Sequence, residues 1–192
     1  MVEDNGNKRK LSKRKDPQAA MHFYAQQGYP ADSVLEYLLT IANSDFEDWR
    51  RANPDAPATE FKFSPKKLNP AGSLFDYAKL TDVSKNVIST MTAEEVYTLL
   101  TEWAQEFDAD FGEKLAADKD YAISILAIGR GGKKPRKDLA TWKEAKPYMG
   151  FFYDKFLEIK DAYPESFDKA DIIATLEKFS ESYDPSDDMN TW

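Results

Sequence analysis

The chain has 192 residues, no cysteine, one histidine and a formal net charge of −8. The lack of cysteine excludes disulfides, thiolate zinc sites and cysteine nucleophiles, and one histidine leaves little for a metal site or a catalytic triad. No apolar run approaches the roughly 20 residues that span a bilayer, and the first residues are charged. We therefore expect a cytoplasmic protein with no metal site and no membrane partner.

The charge is segregated along the chain. The first 15 residues hold six basic and two acidic side chains, a net charge of +4 that leaves −12 for the remainder. Residues 129–137 add five basic side chains among glycines and a proline, which predicts a loop. From residue 161 onward nine acids face only Lys169 and Lys178, so we expect this end to repel a phosphate backbone.

The elements at the start of the chain are predicted to be helices. Asp16 followed by Pro17 is typical of a helix start, and Gly28 of a helix end. A second helix is predicted to begin near Asp32 or Ser33, with apolar residues at helical spacing. Residues 50–72 contain four prolines, which predicts a connector with one short extended piece at 60–63 and a domain boundary nearby.

After the connector, two short helices are predicted, over residues 73–80 and 81–90. Thr92 and Glu95 fit a capping box, and apolar residues follow at the spacing of one buried helix face. This pattern predicts a helix that begins directly after Thr92.

The second half of the chain is also predicted to be helical. Residues 111–128 favour a helix, although the apolar content of residues 121–128 leaves a buried strand as an alternative. Helices are further predicted over residues 147–161 and near Met189. A helix between these two is predicted from an apolar face that comprises Ile172, Leu176, Phe179 and Tyr183.

The most specific motif is the sequence Lys-Leu-Ser-Lys-Arg at residues 10–14. It resembles the KMSKS loop of class I aminoacyl-tRNA synthetases, in the form usual for the glutamyl and glutaminyl enzymes. Lysines on a mobile loop can stabilise the negative charge that develops on departing pyrophosphate when an adenylate forms. The resemblance implies that Lys10 and Lys13 are catalytic, with Lys13 the main phosphate contact, and that Lys10, Ser12 and Lys13 bind ATP.

Two later segments resemble the glutamyl-tRNA synthetases in the expected order. Residues 26–39 contain a Gly-Tyr turn followed by a leucine-rich helix, and residues 74–80 with Asn86 resemble the alanine-leucine-phenylalanine-aspartate stretch and its downstream asparagine. The resemblance is clear over residues 5–90 and becomes weaker after residue 140.

The resemblance implies an all-α fold in two domains. Residues 1–70 would form the KMSKS loop and a stem-contact-like helical unit, and residues 71–192 a helical anticodon-binding-type bundle, truncated at its end. The nucleotide-binding half of the family would precede residue 1, so we expect this part alone to be inactive. We also expect residues 1–15 to pack poorly without that half.

The intact enzyme is implied to join glutamate to tRNA through a glutamyl-adenylate. Its cofactors would be ATP and Mg2+, with none bound to this part alone. Its partners would be tRNA-Glu, ATP and glutamate, with tRNA-Gln left open as a further substrate. A glutaminyl enzyme, or a non-catalytic helical RNA-binding module with a basic arm, remains an alternative.

The loop over residues 129–137 is a candidate tRNA contact, with a solvated loop as the alternative. Its glycines would let a nucleic-acid backbone approach, and its cations would neutralise phosphates. The candidate tRNA-binding residues are Arg130, Lys133, Lys134, Arg136 and Lys137. Trp103 is expected in the core rather than stacked on a base, and His22 is expected to be a surface residue without a ligand role.

Overall fold

A computed structural model describes residues 1–4, 6–68, 72–158, 162–184 and 186. Two compact units are present, Met1–Leu157 and Glu158–Trp192. The described residues are mainly helical, which confirms the predicted fold class. The domain boundary near residue 70 stays a prediction.

A short antiparallel hairpin at the N-terminus was not predicted. Strand β1 (Val2–Asp4) pairs with β2 (Asn7–Arg9). The N-terminal amine donates to the carbonyl of Ser73 at 2.7 Å, and the Phe75 amide donates to the carbonyl of Met1 at 2.7 Å. The expectation that this segment packs poorly is wrong for the hairpin, because backbone hydrogen bonds attach it to a distant part of the chain. Strands of three residues are too short for the alternation of apolar and polar residues that predicts a strand.

The first predicted helix is interrupted. Pro17–Ala19 forms a 3-10 turn, Ala20 is extended with φ −113° and ψ 134°, and α1 (Met21–Gln27) follows. Helix α1 ends as predicted at Gly28, whose φ of 79° lies in the left-handed region.

Helix α2 (Ala31–Ala42) begins one or two residues before the predicted start at Asp32 or Ser33. Helix α3 (Phe46–Ala52) was missed, because Phe46 is its only buried residue and little periodicity marks it. The connector then contains 3-10 turns at Ala58–Glu60 and Pro65–Lys67. Within the extended piece predicted at residues 60–63, Glu60 belongs to the first of these turns, whereas Phe61 is extended with φ −63° and ψ 124°.

Helix α4 (Tyr77–Thr90) replaces the two short helices that were predicted. Residues 73–76 are not helical, because the amide of Asp76 donates to the Tyr37 hydroxyl at 2.7 Å and the Asp76 carboxylate caps the helix through Lys79.

Helix α5 (Ala93–Phe107) has the predicted capping box. Its Thr92 hydroxyl accepts from the Glu95 amide at 3.1 Å, and the Glu95 carboxylate accepts from the Thr92 amide at 2.7 Å.

The single helix predicted over residues 111–128 is two helices, α6 (Ala109–Ala117) and α7 (Lys119–Leu126). Asp118 separates them with φ −145° and accepts from the Tyr121 amide at 3.0 Å, so an N-cap interrupts the helix. The strand alternative is wrong.

The helix predicted over residues 147–161 is mostly absent from its described part. Helix α8 (Ala145–Met149) lies between 3-10 turns at Trp142–Glu144 and Gly150–Phe152. Tyr153 is extended and buried. The Phe156 ring packs against that of Phe111, with 5.7 Å between the ring centroids. Because these rings pack into the core, the chain does not continue as one helix after Met149.

The second unit contains α9 (Lys169–Ser182), capped by Asp168 through the Ala170 amide at 2.7 Å. This helix confirms the prediction for its segment. The helix predicted near Met189 lies outside the described residues.

Two hydrophobic clusters form the core of the first unit. The smaller cluster joins α1, α2 and α4 around Tyr24, Tyr37 and Leu80. The larger cluster joins α5, α6, α7 and α8 around Leu100, Phe111 and other buried residues. Within the described part of the chain, no helix combines the length and apolar character needed to cross a membrane.

Candidate nucleotide and nucleic-acid binding loops

The predicted ATP loop lies between β2 and the 3-10 turn that begins at Pro17. The Ser12 carbonyl accepts from the Lys15 amide at 3.0 Å and from the Asp16 amide at 2.8 Å, which makes a tight turn. The Lys10 and Lys13 side chains are exposed, whereas Ser12 is half-buried. The loop thus presents its lysines to solvent from a hydrogen-bonded backbone.

Asp16 is the acidic partner of this loop. Its Oδ2 accepts from Nη1 of Arg9 at 2.7 Å and from the Ser12 amide at 2.7 Å, while Oδ1 accepts from Nη2 of Arg9 at 2.9 Å. The Arg9 hydrogen bond, helped by the Ser12 amide, lowers the pKa of Asp16 to about 2. Asp16 also raises the pKa of Arg9, so both groups are charged at neutral pH.

The second basic loop follows α7. Gly129 and Gly131 have φ of 70° and 77°, and the Arg136 amide donates to the Gly129 carbonyl at 3.0 Å. The Lys133, Lys134 and Lys137 side chains are exposed. Residues 129–137 form a loop, as the sequence predicted.

Arg130 differs from the other cations of this loop. Its Nε donates to the Leu126 carbonyl at 3.0 Å, and its Nη1 donates to the carbonyls of Ile88 at 2.6 Å and Met91 at 3.1 Å. Burial lowers the pKa of Arg130. The guanidinium therefore ties the start of the loop to the end of α4.

Arg136 is exposed and forms an ion pair with Asp138, from Nε to Oδ2 at 2.7 Å. This pair raises the pKa of Arg136. The two arginines of the loop thus contact protein, and its three lysines supply the more available positive charge.

Sequence reasoning did not identify Arg50, which organises the connector after α3. Its Nη1 donates to the carbonyls of Asn53 at 2.9 Å, Pro54 at 3.2 Å and Ala56 at 2.6 Å, and its Nη2 lies 2.6 Å from Glu36. Burial raises the pKa of Glu36 despite this pair. Nothing in the local sequence marks an arginine that binds carbonyls.

A groove of about 1,080 Å³ adjoins these contacts, lined mainly by α2, α3 and α4 and reached at its edge by Lys137. Its charges are mixed, since Arg50, Arg51 and Lys79 alternate with acidic side chains. This mixture gives the groove no clear preference for a phosphate backbone.

The predicted structural roles of two side chains agree with their positions. Trp103 packs against the larger core cluster, and its Nε1 donates to the Ala25 carbonyl at 3.0 Å. His22 is exposed, with its ring 6.2 Å from that of Phe107. The described residues contain no group of three or more side chains suited to a metal ion.

Known proteins match this chain along almost its whole length. A glutamate–tRNA ligase of Acetivibrio thermocellus is 44% identical over 189 residues, which is 98% of this chain and 35% of that protein. The ligase of Sorangium cellulosum is 43% identical over 187 residues, covering 96% of this chain and 33% of the relative. By sequence, this chain belongs with the glutamate–tRNA ligases.

A glutamate–tRNA ligase of Clostridium perfringens is likewise 39% identical over 196 residues, with 100% of this chain and 36% of the relative covered. The chain thus spans about a third of the length of these glutamate–tRNA ligases. No protein-family model matches it, and no solved structure matches it significantly. The resemblance first drawn from residues 5–90 is confirmed for the glutamyl family.

Proposed function

We propose that this chain is the part of a glutamate–tRNA ligase that carries a helical tRNA-binding scaffold and the loop with the KMSKS-type motif at residues 10–14, here called the ATP-closing loop. We also propose that it follows a nucleotide-binding half. The observation that carries the proposal is the 44% identity to such a ligase over 98% of the chain. The exposed lysines at positions 10 and 13, on a backbone turn, support the same assignment.

In the intact enzyme, the glutamate carboxylate attacks the α-phosphorus of ATP, and pyrophosphate leaves. Lys13 and Lys10 stabilise the negative charge on the departing pyrophosphate, and the Ser12 hydroxyl lies on the same turn as a further phosphate contact. Mg2+ would neutralise part of the phosphate charge when bound. The 2′ or 3′ hydroxyl of the terminal tRNA nucleotide then takes the glutamyl group, and AMP leaves.

The proposed tRNA contacts lie on the loop over residues 129–137. Lys133, Lys134 and Lys137 are exposed and are assigned to phosphates, with Arg136 beside them. Arg130 places the start of this loop through its three carbonyl contacts. The partner is tRNA-Glu, and charging assays with tRNA-Gln decide whether it is a second substrate.

The remaining assignments follow from the same function. We assign this glutamate–tRNA ligase to the cytoplasm, without a membrane partner. Residues 1–70 are assigned to the loop and stem-contact-like unit, and the residues after 70 to the helical tRNA-binding domain.

The test uses the protein that joins this chain to the nucleotide-binding half. Glutamate-dependent exchange between ATP and pyrophosphate is measured with tRNA present. Lys13→Ala should lower the rate by about 100-fold or more, because it removes a charge that acts on the transition state. Lys8→Ala is the matched control, since Lys8 is an exposed lysine on β2 outside the motif.

The expected control rate is within about twofold of the wild type. A protein that binds tRNA but shows no exchange would favour the non-catalytic helical RNA-binding module. An exchange rate that does not change in Lys13→Ala would refute the role given to this lysine.

A further inference from the structure

The ATP-closing loop begins and ends at two residues that bind each other. Arg9 ends β2, and Asp16 precedes the 3-10 turn at Pro17–Ala19. The fork of the Arg9 guanidinium contacts both carboxylate oxygens of Asp16, at 2.7 and 2.9 Å. Bidentate pairs of this kind fix direction as well as distance, so the pair closes the six residues between Arg9 and Asp16 into a loop.

Asp16 also fixes the middle of the loop. Its carboxylate accepts from the Ser12 amide at 2.7 Å, and its own amide donates to the Ser12 carbonyl at 2.8 Å. Both backbone groups of Ser12 therefore bind the same residue. The neighbouring Lys10 and Lys13 side chains are left exposed.

Burial separates Asp16 from an ordinary surface acid. The residue is 6% exposed, whereas the lysines around it are exposed. Between residues 6 and 16 it is the only acid among six basic side chains. It therefore offsets like-charge repulsion that would otherwise spread the loop.

The loop end at Asp16 is attached to the body of the first unit. The Tyr24 hydroxyl donates to the Gln18 carbonyl at 2.7 Å, and Tyr24 belongs to the smaller core cluster. The Arg9 end lies on β2, which pairs with β1 and is attached through the backbone hydrogen bonds of Met1 to Ser73 and Phe75. Both ends of the loop are thus held, which lets the exposed lysines move while the Ser12 turn keeps its shape.

We propose that Arg9 and Asp16 are positioning residues of the ATP-closing loop, which set the direction of Lys10 and Lys13 and do not themselves contact phosphate. This inference rests on the proposed function. It differs from a role for Arg9 as one more phosphate-binding cation of the basic N-terminal segment, because its guanidinium is committed to Asp16 and Asp4.

The kinetic test compares Asp16→Asn, Arg9→Gln and the double variant in the protein that includes the nucleotide-binding half. Asp16→Asn keeps the size of the side chain and an acceptor for the Ser12 amide but removes the charged pair. We expect kcat for exchange to fall by about tenfold or more, as for other displaced catalytic groups, with KM for glutamate within about twofold. The double variant should be no slower than Asp16→Asn, because both changes remove one contact.

Two further variants separate positioning from charge. Arg9→Lys keeps the charge but not the fork, so it should recover part of the activity lost in Arg9→Gln. Glu3→Gln is the control, because Glu3 is an exposed acid on the same hairpin. A double variant whose losses multiply would overturn the inference, because Arg9 would then act independently of Asp16.

A second measurement needs no catalytic activity. Trypsin cleavage after Lys10, Lys13 and Lys15 in this chain should be at least about fivefold faster in Asp16→Asn than in the wild type, because the loop opens more often. Circular dichroism on the same samples shows whether the helices remain folded; if Asp16→Asn unfolds, Arg9→Gln serves instead. Unchanged cleavage in a folded variant would refute the positioning role.

The outcomes distinguish the two proposals. Loss of exchange in Lys13→Ala with normal exchange in Asp16→Asn refutes only the positioning role. No exchange in the wild type refutes the proposed function, while faster cleavage in Asp16→Asn would still show that the pair holds the loop.

Discussion

The backbone amide of Trp142 donates a 2.8 Å hydrogen bond to the carbonyl of Gly28. Gly28 ends α1 in the left-handed region, and a Cβ placed on it would lie 2.8 Å from both the nitrogen and the Cβ of Trp142. Trp142 belongs to the larger core cluster and α1 to the smaller one. Because Gly28 has no side chain, the end of α1 can pack closely against the 3-10 turn that begins at Trp142.

Gly28→Ala should destabilise the protein more than the same substitution at another glycine with a left-handed backbone. Gly131→Ala is the matched control, since its φ is 77° and no atom lies within 4 Å of the added Cβ. The control should lose about 1 kcal/mol from backbone strain. The free energy of unfolding of Gly28→Ala should fall by about 1–3 kcal/mol more than that of the control, because of the steric conflict with Trp142. Urea unfolding of both variants checks this, and equal losses would contradict the close contact.

Two buried serines should respond differently to the same substitution. The Ser84 hydroxyl donates to the Ala140 carbonyl at 2.6 Å, whereas the buried Ser33 hydroxyl has no hydrogen-bond partner among the described residues. Ser84→Ala should cost about 1–2 kcal/mol, because it leaves a buried carbonyl unpaired. Ser33→Ala should be neutral or slightly stabilising, because it removes an unpaired polar group and favours helix.

Urea unfolding at one pH measures both serine variants. A loss of more than about 1 kcal/mol in Ser33→Ala would indicate a partner for its hydroxyl, such as a buried water molecule.

The features that the sequence predicted correctly are those with local causes. The capping box at Thr92 and Glu95 needs only residues three apart, and the end of α1 needs only Gly28. The KMSKS-type motif is likewise contiguous, so it could be found without the fold.

Several of the features that were missed depend on distant partners. Helix α4 begins at Tyr77 because the Asp76 amide binds Tyr37, 39 residues earlier. Arg130 looks like the other cations of its loop in sequence, but the carbonyl of Ile88, 42 residues away, accepts its hydrogen bond. No local pattern reports such contacts.

The cations of the loop over residues 129–137 should affect tRNA binding in two distinct ways. Lys133→Gln and Lys134→Gln should each weaken tRNA binding. Each should also reduce the slope of log affinity against log salt concentration by about one, because each exposed lysine neutralises about one phosphate. Both should leave the unfolding free energy within about 0.5 kcal/mol of the wild type. Filter binding between about 50 and 200 mM salt measures the slopes.

Arg130→Gln should instead destabilise the fold by about 1.5–3 kcal/mol, because its charged donors would leave buried carbonyls without partners. At a temperature where both variants are folded, Arg130→Gln should change the salt dependence of tRNA binding less than Lys133→Gln does. A full unit of slope lost in Arg130→Gln with unchanged stability would mean that this arginine contacts phosphate directly.

Acid should weaken the fold through Asp16. Its pKa of about 2 in the folded protein lies below the ordinary value of 3.8, so the unfolded chain binds the proton more readily. The stabilisation is therefore present above about pH 4 and is lost as the pH falls towards 2. The difference in unfolding free energy between wild type and Asp16→Asn should shrink over that range, and urea titrations from about pH 5 to about pH 2 measure it. Arg9→Gln should show the same narrowing, because it removes the same ion pair, whereas the other carboxylates cancel in the comparison. A difference that stayed constant with pH would mean that the pair between Arg9 and Asp16 is not formed in solution.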